Sequence, residues 1–165
     1  MISLKTDQKA ANQDTRSINF SHFYTTLLPA FENLKEKAMP HVPVPEGYQT
    51  VMPYLIVPNA AQFLEFLKNV FQAEEKLKHL REDGQIMHAE VTLGGSTLML
   101  AEASDQWSAQ PAGLYLHVAN ADESYQKALA AGATSVMEVS DQSYGRSGGV
   151  KDPHGNTWWV VSPLA

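Results

Sequence analysis

Apolar and polar positions change their period along this chain, and the changes mark its elements. Phe20, Phe23, Tyr24, Leu27, Leu28, Phe31 and Leu34 recur at helical spacing and predict an amphipathic helix. Pro29 falls inside that helix and predicts a kink or a split into two. The residues before it, 1–18, are polar. After it, the run Pro40-His41-Val42-Pro43-Val44-Pro45-Glu46-Gly47 predicts a stiff extended linker. The expected organisation is an N-terminal extension over 1–43 and a main domain over 44–165.

Within the main domain a short strand pattern runs straight into a helix pattern, twice. Tyr54-Leu55-Ile56-Val57-Pro58-Asn59-Ala60 matches Tyr115-Leu116-His117-Val118-Ala119-Asn120-Ala121, with five identities in seven positions at a shift of 61. Asn59 with Gln62, and Asn120 with Glu123, stand where an N-cap and its reciprocal partner belong. The first helix is expected to bury Ala60, Phe63, Leu64, Leu67, Val70 and Phe71. The second is expected to bury Ala121, Tyr125, Ala128 and Leu129, and to stop at Gly132.

Three strand-like segments follow each helix. They fall at about 74–82, 86–93 and 96–102 in the first copy, and at about 134–140, 147–151 and 156–162 in the second. Asp83-Gly84 and Gly94-Gly95 are hairpin signals, and Pro153-His154-Gly155 supplies the last turn. Gly95-Ser96-Thr97-Leu98-Met99 aligns with Gly155-Asn156-Thr157-Trp158-Trp159 at a shift of 60. The fold class is therefore α+β: two βαβββ modules, about 48–103 and 112–163, preceded by a helical arm.

Composition narrows the chemistry. The 165 residues include no cysteine, which removes disulfides, thiol nucleophiles, iron–sulfur clusters and Cys-type zinc sites. The net charge of −6 comes without a dense Lys/Arg cluster, which argues against a nucleic-acid partner. No apolar run approaches the ~20 residues of a membrane span. The polar N-terminus lacks the apolar core of a secretion signal, so a cytoplasmic location is the expectation.

A duplicated βαβββ module resembles the vicinal oxygen chelate superfamily. Within it, the chain is similar to the glyoxalase/bleomycin-resistance group and its PhnB-like branch. The residues that carry this are Pro45-Glu46-Gly47-Tyr48, Pro53-Tyr54-Leu55, Met87-His88-Ala89-Glu90, Leu98-Met99-Leu100, Ala131-Gly132-Ala133-Thr134, Asp141-Gln142, Tyr144-Gly145 and Asp152-Pro153-His154-Gly155-Asn156-Thr157-Trp158. The match spans about 44–163. It departs at Tyr144-Gly145-Arg146-Ser147, where the branch usually places an acidic residue between Gly and Arg. The resemblance implies a curved mixed sheet forming a cup. In metal-using relatives, the first and last strands of each module give His, Glu or Gln to one divalent cation.

Leu55 and Val57 are expected to face their own helix, which turns Met52, Tyr54 and Ile56 to the cup. The same alternation puts Gly113, Tyr115 and His117 there, together with Thr97, Met99, Ala101, Thr157, Trp159 and Val161. The ligand positions implied by the resemblance then fall on Met52, Met99, Gly113 and Trp159. None offers nitrogen or a charged oxygen to a divalent ion, so no metal or other cofactor is expected. His88 and Glu90 join the cup face because Ala89 and Val91 are the helix-side pair of their strand.

The candidate ligand-binding residues are Tyr54, His88, Glu90, Met99, Tyr115, His117, Arg146 and Trp159, with Arg146 as an anion contact at the rim. Trp158 is expected in the core, and His154 in a solvated turn. The reading these residues favour is metal-free binding of a drug or metabolite by a homodimer. The alternatives are a metal-independent lyase or isomerase using His88, Glu90 and His117 as acid–base groups, and a degenerate structural or regulatory module whose cup is filled.

Overall fold

A computed structural model describes residues 43–164; the N-terminal extension and the amphipathic helix expected in it lie outside them. The described elements follow the expected order twice over. The first module is β1 (Tyr54–Val57), α1 (Ala60–Phe71), β2 (Glu74–Leu80), β3 (Ile86–Leu93) and β4 (Ser96–Glu102). The second is β5 (Gly113–His117), α2 (Ala121–Ala130), β6 (Thr134–Gln142), β7 (Gly145–Lys151) and β8 (Thr157–Ser162). Each module folds into its own four-stranded mixed sheet, in the orders β1-β4-β3-β2 and β5-β8-β7-β6. The outer strands β1 and β5 pair in parallel with β4 and β8, and the other neighbours are antiparallel.

Burial follows the period-2 alternation of the strands. Leu55, Val57, Leu98, Leu100, Ala89 and Val91 are buried beneath α1, as are Trp158, Val160 and Val150 beneath α2. Alpha-helical periodicity sends Phe63, Leu64, Leu67 and Val70 of α1, and Ala121, Tyr125 and Ala128 of α2, into the same core. Phe66 is buried as well, while Phe71 and Leu129 are partly buried against that core. The Phe71 ring meets Trp158 of the other module at 4.7 Å, so one core joins both modules.

The two helices begin in different ways, and one corrects the sequence expectation. Asn120 is extended, and its side chain accepts from Glu123 N at 3.0 Å, as an N-cap does. Asn59 instead takes a left-handed conformation with φ 56 and makes no side-chain cap. The Glu102 carboxylate replaces it, accepting from Asn59 N at 2.8 Å and Ala60 N at 2.7 Å. A carboxylate against the positive end of a helix dipole does that work well. It arrives from the end of β4, 43 residues beyond Asn59 in the chain, which local spacing does not reveal.

The closing hairpins also differ. Gly94 and Gly95 both stand at positive φ, as a two-residue hairpin turn requires. The matching turn of the second module is organised by buried Asp152, whose carboxylate accepts from His154 N, Asn156 N, Asn156 Nδ2 and Trp158 Nε1 at 2.8–3.0 Å. His154 is correspondingly not a loose surface residue. Its Nδ1 lies 2.8 Å from Pro58 O, and its ring meets Phe63 edge-on, tying this turn to the β1–α1 corner. Among the described residues no helix is long and apolar enough to cross a membrane.

Candidate functional site

The helices cover one face of each sheet, and the candidate residues lie on the other. Cross-strand register aligns them in equivalent rows. In the first module Met99 stands beside both Tyr54 and Glu90, and Glu90 beside Leu77. In the second, Trp159 stands beside both Tyr115 and Gly149, and Gly149 beside Met137. The sequence repeat therefore becomes a repeat of position: Tyr54 with Tyr115, Met99 with Trp159, Glu90 with Gly149. His117 follows Tyr115 on the same face, where the first module has Ile56.

The first cup face is polar and internally bonded. Glu90 is only 5% exposed. The Tyr48 hydroxyl donates to its Oε2 at 2.6 Å, and His88 Nε2 lies 3.2 Å from its Oε1. The other imidazole nitrogen, Nδ1, lies 3.2 Å from the Tyr54 hydroxyl. Burial pushes the Glu90 carboxyl up, but the Tyr48 hydroxyl, His88 and the Lys76 charge outweigh it and hold the group below its ordinary value. The Tyr48 phenol shifts upward in return, chiefly through its bond to Glu90.

A strap of residues 47–49 lies across this network. Gly47 O accepts from Thr97 Oγ1 at 2.6 Å and from Lys76 Nζ at 3.2 Å. The Gln49 side chain accepts from Thr97 N and donates to Gly95 O. Lys76 sits at an irregularity of β2 and also covers the Tyr48 ring, 3.8 Å from its centroid. Tyr48 and Lys76 were not among the candidates named from sequence. Tyr48 belongs to the Pro-Glu-Gly-Tyr segment that carried the family resemblance, whereas Lys76 gave no signal, because a strand irregularity decides where it points.

The second cup face is aromatic and open. Tyr115 is 54% exposed and meets the His117 ring edge-on at 5.4 Å. Trp159 lies across Gly149 so closely that a Cβ there would stand 2.5 Å from its Cζ3. Glycine is what lets the indole lie on the sheet. Among the described residues no hydrogen bond or ring contact joins these residues to Tyr54, His88 or Glu90. The candidates thus form two groups, one per module.

Arg146 belongs to neither group, which corrects its expected place at the rim. It lies on the helix side of β7, with Gly148 and Val150, and binds both oxygens of Asp122 on α2 and one of Asp141. With two carboxylates on its guanidinium, this residue is a tie between helix and hairpin. Alternation along β7 gives the reason: Arg146 and Gly148 share a face, and a Cβ at Gly148 would stand 3.3 Å from Tyr125 Cδ2 of the helix.

A groove of about 1230 Å³ opens on the first cup face, lined by Tyr54, Ile56, Met87 and Trp107 and by the charged Arg81, Glu102 and Asp105. Trp107 comes from the connection between the modules. Gln110 N of that connection donates to Ile56 O and lays it along the outer edge of β1.

The chain belongs to the Glyoxalase/Bleomycin resistance protein/Dioxygenase superfamily, whose model matches residues 47–160. It is 33% identical to uncharacterized protein Rv0887c of Mycobacterium tuberculosis over 124 residues, 68% of this chain and 73% of that one. A gene product of Arabidopsis thaliana has a similar structure, with 25% identity and a TM-score of 0.57 over 69% of this chain and 98% of its own. TnmS3, an antibiotic binding protein from Streptomyces sp. CB03234, shares the fold at 16% identity, with a TM-score of 0.58 over 75% and 100%.

The residues at the positions implied for a divalent ion do not fit one. Gly113 has no side chain, Met99 is a thioether between Tyr54 and Glu90, and Trp159 is spread over Gly149. Among the described residues there is no group of three or more His, Asp or Glu placed to hold a metal ion.

Proposed function

We propose that this domain binds a small molecule, a drug or metabolite, on its cup faces without a metal ion, as a homodimer whose second copy closes the cup. The observation that carries the reading is the pair of equivalent rows. At the positions where a metal-using relative places ligands, this chain presents a thioether and an indole flanked by half-exposed tyrosines. Aromatic faces with a few convergent polar groups are the usual make-up of a small-molecule pocket. The naming of TnmS3 as an antibiotic binding protein fits this reading, although the likeness to it is one of fold. Among the described residues the aromatic face of the second module is open and each module has its first strand at a sheet edge, and a two-fold second copy is the commonest way to cover such a surface.

The test is a thermal-shift and calorimetric screen of planar aromatic drugs, with bleomycin included, on protein assayed for metals and sized by light scattering. A bound compound is expected to raise Tm by mass action. His117→Ile, which copies Ile56 of the first module, is expected to fold normally and to weaken a polar compound by roughly 1–3 kcal/mol. One tightly bound Zn, Ni, Fe or Mn per chain would overturn the metal-free reading. A monomer at micromolar concentration would overturn the shared cup.

A further inference from the structure

Tyr54 and Tyr115 are the same residue of the repeat, at 50% and 54% exposure, yet their hydroxyls have different neighbours. Tyr115 meets His117 through ring edges. The Tyr54 hydroxyl lies against His88 Nδ1, His88 Nε2 against Glu90 Oε1, and Tyr48 secures Glu90 Oε2. An ionised carboxylate only accepts hydrogen bonds, so in the neutral imidazole Nε2 carries the hydrogen that Glu90 receives. Nδ1 is then the bare nitrogen, and it receives the hydrogen of Tyr54. A hydroxyl on a base, with the base oriented by a buried carboxylate, is the arrangement that activates side-chain nucleophiles and bases.

We infer that Tyr54 is a base-assisted phenol facing the groove, and that the first module is a metal-free acid–base site for small β,γ-unsaturated carbonyl compounds. In the proton transfer it performs, a C–H bond beside the substrate carbonyl breaks and leaves its electron pair on the substrate as an enolate. The Tyr54 oxygen takes that proton while its own passes to His88 Nδ1, and Glu90 holds the resulting imidazolium. Where a β,γ double bond conjugates with that enolate, Tyr54 returns the proton to the γ carbon as His88 gives its own back, which moves the double bond and completes an isomerisation with no outside oxidant or reductant. The groove beside Tyr54 has an apolar side at Ile56, Met87 and Trp107 and a charged side at Arg81, Glu102 and Asp105, which suits a compound with both an apolar body and a polar carbonyl. This assignment goes beyond binding and stands whether or not the cup also sequesters a drug.

The relay is open to test without a known substrate, using benzenesulfonyl fluoride on the full-length protein. In that reaction an O–S bond forms to the phenol, the S–F bond breaks, fluoride leaves and the phenol proton goes to His88. Peptide mass spectrometry gives separate labelling rates for Tyr54 and Tyr115. Base assistance should label Tyr54 roughly ten-fold faster or more. His88→Gln is expected to bring Tyr54 down to the Tyr115 rate, and Glu90→Gln to slow it several-fold, with Tyr115 unchanged in both. Equal rates at the two tyrosines in the native protein would overturn the inference. So would an undiminished Tyr54 rate in His88→Gln, or in Glu90→Gln if melts show the His88 variant unfolded.

Discussion

The two cup faces are built on one row of positions and filled in opposite ways. In the first module the row holds a medium side chain and a buried carboxylate, Met99 beside Glu90. In the second it holds the largest side chain beside none, Trp159 beside Gly149. Each solution needs its own support. Glu90 is kept ionised under cover by Tyr48, His88 and the strap of residues 47–49. Trp159 needs a bare stretch of backbone, which Gly149 provides. The closing turns diverge in the same sense: two glycines at positive φ in one module, a carboxylate collecting four donors in the other. The two modules share one scaffold, and at this row both neighbouring positions differ between them.

The largest effect should come from the turn that depends on a side chain. Asp152→Ala strands several buried donors at once, and each one left unpaired costs about 1–3 kcal/mol. The variant is expected to lose more than about 3 kcal/mol in a denaturant melt. A loss near that of an ordinary surface substitution would mean that backbone geometry alone holds the turn, as in the first module.

The exchange between rows comes next. Gly149→Ala puts a methyl group inside the indole, and overpacking of this kind costs about 1–3 kcal/mol. Adding Trp159→Met, which copies Met99, should restore most of that loss. Failure of the double variant to recover would show that the two positions do not trade volume. Melts of the two single variants and the double variant measure the coupling directly.

The smallest effect is one of pH. Glu90 is held below its ordinary value in the folded protein, so its contribution to stability is complete above the ordinary carboxylate range. That contribution is lost as pH falls through the lowered folded value. Glu90→Gln has no such proton to take up, so native protein should lose Tm more steeply than the variant on acidification. Parallel acid limbs would show that Tyr48 and His88 do not favour the charged carboxylate.

Much of this protein was determined by sequence alone. A period of 2 against a period of 3.6, repeated with the same strand-to-helix corner, is a local signal, and it settled the two modules, the helix-side core and the sheet faces of Tyr54, His88, Tyr115 and His117. Burial of alternate residues enforces that register, because a slip of one turns every core side chain to the opposite face. Tertiary structure decided which polar groups meet. Glu102 replaces Asn59 as the cap of α1, Tyr48 reaches Glu90 across 42 residues, His154 docks on Pro58 across 96, and Arg146 turns from the cup to Asp122. These partners lie far apart in the chain, and each hydrogen bond is short-ranged and directional. Their meeting depends on how the strands curve and where β2 loses its register, which no spacing in the sequence encodes.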